Sequence, residues 1–334
     1  MMKNLLILIV SIGVVAGLAS WLISNKGNDV KTNPDVVTTI YPLWDIARTI
    51  AGDNLEIGLL LPPGASPHTF EPTPSQVRQL SSAQVIINIG YGLDDWILPL
   101  AESQNVLVKN VADGILLRSN SGHEEHHEEH HEEHHEEHHE EHHEEHHEEH
   151  HEEHEGDLHD DHEHGPIDPH YWLSISNAEI MAQNIYKILV EISPENQTTF
   201  KRNLDYYLAE LQIVRQEVRN ILSDIENEHI ITLHDAWYYF AEEFGLEVVG
   251  TFELSPGREP TPRQLSELIA LVRRYNVPTL YSEPQLGTGS LQGFARDNGL
   301  KIAELDPLGG QNSDRMSLID LFRYNARIIA ENQK

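Results

Sequence analysis

The chain has 334 residues, enough for two ordinary domains with cores of their own, a formal net charge of −33 and no cysteine. The missing thiols exclude cysteine-based zinc sites, iron–sulfur clusters, thiol catalysis and disulfides. Residues 123–164 hold 21 of the 55 acidic residues and no Lys or Arg; the remainder, with 34 acidic against 22 basic residues, offers no basic patch for nucleic acid and suits divalent cations better.

From Leu5 to Ser24 runs "LLILIVSIGVVAGLASWLIS", an apolar stretch of about the length that spans a bilayer. Residues 1–24 are read as a signal peptide or membrane anchor, with residues 5–23 as the anchoring span and Gly17 and Ala19 as a small-x-small cleavage site. Either reading places the protein outside the cytoplasm, periplasmic or extracytoplasmic. Trp21 stands where "LAS" would need a cysteine, so a lipoprotein is not expected. Residues 25–34 follow as a polar linker.

Over 35–118 short apolar runs alternate with helical stretches. "DVVTTI", "LEIGLLL", "QVIINIG" and "NVLVKN" read as strands; Trp44–Ala51, Pro74–Ser82 and "DDWILPLAE" read as helices. This alternation predicts an α/β lobe with a mainly parallel sheet. Residues 119–165 contain "HEEHHEEHHEEHHEEHHEEHHEEHHEEHHEEH", a period-four, low-complexity insertion that cannot bury a face and is expected to be disordered without metal. Residues 166–192 return to an amphipathic helix. Over 193–227, Ser193 and Pro194 read as a helix start, and Phe200, Leu204, Leu208, Leu211, Val214, Val218, Ile221 and Ile225 recur at helical spacing. That predicts one helix of about thirty residues, ~45 Å long, bracing two lobes. Over 228–334 the alternation resumes, with strands "HIITL", "LEVVGTF", "PTLYS" and "KIAEL" and helices at Trp237–Phe244, Thr261–Tyr275, 290–298 and 316–332. The expected fold is therefore α/β, two Rossmann-like lobes with mainly parallel sheets joined by one long backbone helix.

Of 23 histidines, only His68, His170, His229 and His234 lie outside the insertion. Ligands of parallel sheets bind beyond the carboxyl ends of the strands. His234 follows "HIITL", Asp306 follows "KIAEL", and His68 lies in the Pro/Gly-rich loop after "LEIGLLL"; His170 sits in "DPHYWL". Three imidazoles and one carboxylate can complete a tetrahedral zinc site. Each residue alone has a simpler reading: a lone loop histidine is usually solvated, and Asp306 before Pro307 is a turn former. His229, which opens a strand, is read as structural, and Glu283 in "SEPQ" as a turn or cap residue. Outside the insertion there is no HExxH, and nowhere a GxSxG or phosphate-binding glycine loop, so a zinc hydrolase, with Glu71 as the one nearby base, is a remote alternative.

The stretches "GASPHTFEPTPSQ", "DPHYWLSISNA", "LHDAWYYF" and "AELDPLGG" resemble, in order and context, the four metal-binding motifs of the cluster A-I (class III) solute-binding proteins of ABC-type zinc and manganese uptake systems. The resemblance covers roughly residues 35–332 and is nearest to the zinc-uptake type, whose members often carry a His- and acid-rich insertion before the second histidine. It implies His68, His170, His234 and Asp306 as metal ligands in a cleft between the lobes, a long helix that limits closure, no enzymatic activity, Zn(II) as the transported ligand, and permease and ATPase subunits as partners of a monomer. Manganese- and iron-binding relatives tend to have Glu where this chain has His234. Three imidazoles suit zinc better than the harder manganese, which remains the alternative. The sequence lacks the lipobox cysteine and the disulfide found in some members.

The insertion histidines His123, His126, His127, His130, His131, His134, His135, His138, His139, His142, His143, His146, His147, His150, His151, His154, His159, His162 and His164 are expected to bind further zinc weakly. His164 lies six residues before His170, a short tether that raises the effective concentration of loop-bound zinc near the cleft.

Overall fold

The computed structural model describes residues 34–119, 166–253 and 258–334. The apolar run, nearly all of the linker and the nineteen insertion histidines lie outside the described residues. No helix among the described residues is long and apolar enough to cross a membrane.

The first lobe contains β1 (Val36–Thr38), α1 (Tyr41–Ala51), β2 (Ile57–Leu59), α2 (Pro74–Leu80), β3 (Val85–Asn88), α3 (Ile97–Gln104) and β4 (Leu107–Asn110). The helices α4 (Ile175–Ile192) and α5 (Gln197–Leu222) follow. The second lobe contains β5 (His229–Thr232), α6 (Tyr238–Phe244), β6 (Glu247–Thr251), α7 (Pro262–Tyr275), β7 (Thr279–Ser282), α8 (Gly289–Asn298), β8 (Lys301–Glu304) and α9 (Leu318–Asn332). Within the two sheets all described strand pairings are parallel, in the orders β2-β1-β3-β4 and β6-β5-β7-β8, so the two lobes share one topology.

The local chemistry repeats as well. "TPSQ" and "TPRQ" open α2 and α7, and each forms a capping box: Thr73 with Gln76, Thr261 with Gln264, and a proline at the first turn. The central strands are buried on both faces, as parallel sheets require. One face of each sheet packs into a core shared with α4, α5 and α9, while separate apolar clusters cover the outer faces.

The long helix differs from expectation at its start. Pro194–Asn196 form a 3-10 turn, and the α-helix proper begins at Gln197 and runs 26 residues, ~39 Å. Ser193 does not cap it, because its hydroxyl is engaged by the side chains of Glu195 and Asn196 instead of the first helical amides. Phe200, Leu204, Tyr207, Leu211, Val214, Val218 and Leu222 form its buried stripe.

Contacts across the lobes close the cleft. Trp172 Nε1 donates to Pro307 O at 2.7 Å, Tyr41 Oη to Met316 O at 2.7 Å, and Leu318 N to Asp45 Oδ2 at 2.9 Å, where α9 begins. Gly310, at φ +82°, lies against the Tyr41 ring, where a Cβ would sit 2.6 Å from the nearest ring carbon. On the other side, Glu243 of α6 accepts from Ser174 Oγ at 2.6 Å, Ser176 Oγ at 3.0 Å and Arg215 Nε at 3.0 Å, tying α4, α5 and α6 together. The insertion leaves and re-enters at adjacent points: Ser119 and Ile167 form an antiparallel bridge, and Asp168 N donates to Arg118 O at 3.0 Å.

Candidate metal centre

His68 is carried by the 3-10 turn Pro67–Thr69 after β2. That turn is pinned by Trp96, whose indole N–H donates to Pro67 O at 3.1 Å while its ring packs edge-on against Phe70. His170 precedes the 3-10 turn Tyr171–Leu173, and His234 lies two residues beyond the end of β5. The three imidazoles form a near-equilateral triangle, with ring centroids 5.6, 5.4 and 5.1 Å apart. One ring nitrogen from each lies within 4.8 Å of the other two, and His170 and His234 are almost fully buried.

The orientation of two of these rings is fixed by carboxylates. His170 Nδ1 lies 2.9 Å from Asp168 Oδ1, and His234 Nδ1 lies 2.6 Å from Glu283 Oε1. An ionised carboxylate only accepts, so each Nδ1 carries the proton and each Nε2 carries a lone pair. The two Nε2 atoms face one another at 3.4 Å. Two acceptors at that distance need a proton or a cation between or beside them. Two nitrogens bound tetrahedrally to one zinc at 2.0–2.1 Å would stand about 3.3 Å apart. Burial opposes charge on His234, but the Glu283 carboxylate, with Asp235 and Asp168 behind it, outweighs burial and raises its pKa above the ordinary imidazole value.

The cavity is lined by both lobes, with Ser66, His68, His170 and Trp172 on one side and His234, Glu283, Gln285 and Leu308 on the other. With ≈ 10 Å³ of accessible space, room for about one water-sized sphere, it falls far below the range of about 300–1,000 Å³ usual for organic ligands.

Asp306 is fully buried but contributes no atom to the histidine cluster. Its Oδ1 accepts from Gln285 Nε2 at 2.8 Å and from the backbone amides of Leu308 and Gly309 at 3.0 Å each, and Arg315 Nη1 lies 3.3 Å from Oδ2. Glu71 is exposed and absent from the lining. His229 pairs with Asn227 and stacks on Tyr275, outside the cluster.

Glu283 does more than the sequence reading gives it. The sequence reading makes it a turn or cap residue, and its carbonyl does close a turn, accepting from Leu286 N at 3.3 Å; its side chain in addition binds His234 and accepts from Trp237 Nε1 at 3.1 Å. The signal was present, since Glu283 follows the carboxyl end of β7 just as His234 follows β5. Asp168, Gln285 and Trp172 were not singled out either. Only Asp168 left a sequence trace, as the first residue of the "DPH" turn that folds back on His170.

A family profile described as zinc-uptake complex component A, periplasmic (ZnuA), matches residues 36–332. The zinc-binding protein AdcA of Streptococcus pyogenes serotype M3 is 26% identical over 285 residues, 84% of this chain and 52% of that protein, so the chain spans about half of its length. The manganese ABC transporter substrate-binding lipoprotein PsaA of Streptococcus pneumoniae is 27% identical over 95% of both chains. Among solved structures, the crystal structure of ZnuA aligns with a TM-score of 0.71 at 27% identity, covering 90% of this chain and all of that one. A zinc-bound ZnuA lacking its residues 138–173 aligns with the same TM-score at 26% identity, covering 90% of this chain and 98% of that one. With a profile match across nearly every described residue and the same two-lobed fold, this chain belongs to the ZnuA family of metal-binding solute-binding proteins.

Proposed function

We propose that the protein captures Zn(II) outside the cytoplasm, through His68, His170 and His234 in the inter-lobe cleft, and delivers it to the permease and ATPase of an ABC-type uptake system. The observation that carries this reading is the pair of carboxylate-oriented imidazoles whose Nε2 atoms face each other at 3.4 Å in a buried, ion-sized cavity. Carboxylate–histidine pairs of this kind fix the tautomer and raise ligand basicity at metal sites. The family is one of binding components rather than enzymes.

Three imidazoles favour zinc over manganese, because manganese prefers more oxygen donors. Manganese is the second reading, since PsaA, named for manganese, matches this chain across 95% of its length. The nineteen insertion histidines act in this proposal as a low-affinity collector, the last of them six residues from His170, on an insertion whose neck is closed by the Ser119–Ile167 bridge. Metal content and zinc-against-manganese competition, measured with and without residues 123–164, test the proposal. One tightly held zinc in both forms, lost on His234→Ala, supports it; a preference for manganese, or no tight site once the insertion is removed, refutes it.

A further inference from the structure

Both ends of the insertion's neck meet one hydroxyl. Arg118 N donates to Tyr239 Oη at 2.8 Å, and Tyr239 Oη donates its own proton to Asp168 O at 3.0 Å. Asp168 N completes the ring by donating to Arg118 O at 3.0 Å. Tyr239 lies on α6 of the second lobe, whereas Arg118 and Asp168 belong to the chain between β4 and α4. Two further contacts come from α6: Glu242 pairs with Arg118 Nη1 at 2.9 Å, and the Arg118 guanidinium lies 5.0 Å from the centre of the Tyr238 ring. The Arg118–Glu242 pair is exposed and contributes little. Tyr239 is buried, and two backbone groups depend on its hydroxyl, so it is the firm point of the neck.

Asp168 joins this neck to the metal centre. Its backbone is held by Tyr239 and Arg118, and its Oδ1 lies 2.9 Å from both His170 N and His170 Nδ1. A displaced neck therefore reaches the His170 imidazole through a single residue. The connection from Ser119 to Ile167 comprises 47 residues, and removing 123–164 would leave five. Closure entropy grows with the logarithm of length, so the long connection opposes a closed neck by about 10–30-fold more than the short one. Resting on the zinc-site reading above, we propose that Tyr239 is a positioning residue for the metal centre: by binding both ends of the neck it holds Asp168, and with it His170, against the closure cost of the insertion. The cleft then keeps one affinity whatever the length of the insertion.

The test measures zinc affinity by competition with a chelator that keeps free Zn(II) below the range of the insertion histidines. It compares the full chain and Tyr239→Phe, each with and without residues 123–164. Tyr239→Phe keeps the ring and removes only the hydroxyl. It is expected to weaken zinc binding about 10-fold in the full chain, the lower edge of what partners of metal-bound histidines cost. Without the insertion the loss should be no more than about 2-fold, because a five-residue connection closes the neck unaided. A connection of unchanged length, with every His, Asp and Glu of 123–164 replaced by Ser or Gly, should reproduce the full-chain loss. Wild-type affinity of Tyr239→Phe in the full chain overturns the proposal. So does an equal loss with and without the insertion, which would make the hydroxyl a local packing group. A loss that vanishes with the Ser/Gly connection also overturns it, since charge or bound metal, not length, would then be the cause. Should Tyr239→Phe fail to fold, amide exchange carries the test: Arg118 and Asp168 should be equally protected with and without the insertion, and faster exchange in the full chain refutes the pin. His170→Ala run alongside separates the two readings. If it retains tight zinc, the histidine site is wrong; if it loses zinc while Tyr239→Phe binds as the wild type does, only the role of Tyr239 falls.

Discussion

Replacing Glu283 by Gln keeps the shape of the side chain and an acceptor for both His234 Nδ1 and Trp237 Nε1, while removing the charge. A hydrogen bond to a charged group contributes about 1.5–3 kcal/mol and a neutral one about 0.5–1.5 kcal/mol. The loss to zinc binding is thus about 1–1.5 kcal/mol, or about 5–15-fold in Kd. The same change acts on protons. Burial alone would depress the pKa of His234, and Glu283 is the main reason that it is raised instead, so the variant should titrate lower. An imidazole at the ordinary value of about 6.5 is already about nine-tenths protonated at pH 5.5, and the wild-type ring, with its raised value, competes worse still. The variant's disadvantage should therefore be largest at pH 7.5 and shrink at pH 5.5. Zinc titration against a calibrated chelator at both values reads this out. Equal affinity at pH 7.5, or a gap that widens at pH 5.5, would refute the assignment of Glu283.

In the metal-free protein the linkage has the opposite sign: the raised pKa of His234 adds stability below the unfolded imidazole value and loses it as pH rises through the folded one. Urea unfolding between pH 6 and 8 should show wild-type stability declining relative to Glu283→Gln, and parallel curves would contradict this. Glu243→Ala removes the acceptor for Ser174, Ser176 and Arg215, although Arg215 keeps Glu179 at 3.0 Å; a destabilisation of about 2–3 kcal/mol is expected by denaturant melting. Deleting residues 123–164 should leave one tight zinc and abolish the weaker equivalents, which in the full chain should be released below about pH 6 as their imidazoles protonate. Calorimetric titration at two pH values counts them, and an unchanged stoichiometry on deletion would remove the collector role.

The two-lobed α/β architecture was legible because its strands are short apolar runs bounded by turn signals and two of its helices, α2 and α7, open on Thr-Pro-x-Gln boxes. The long helix was legible from its stripe, from Phe200 to Val218, though not its first turn, where side-chain competition at Ser193 decides the geometry. His68, His170 and His234 could be nominated because so few histidines lie outside the insertion. What the sequence hid is pairing over distance: Glu283 stands 49 residues from His234, and no local rule joins them. Asp306 shows the converse difficulty. Its position after β8 nominates it as a ligand, but the partners that orient its carboxylate, Gln285 and Arg315, come from separate loops and are visible only once these are folded.

The bridged neck at Ser119 and Ile167 has a consequence for inheritance. Because the insertion starts and ends at one closed point, its length is not coupled to the placement of His170. Closing a connection costs only about 0.6 kcal/mol more for each doubling of its residues. A tandem array of four-residue units can thus gain or lose copies through replication slippage while the cleft geometry stays the same. Under the proposed collector role, capacity is then set by copy number, generation by generation, without a single substitution in the folded body.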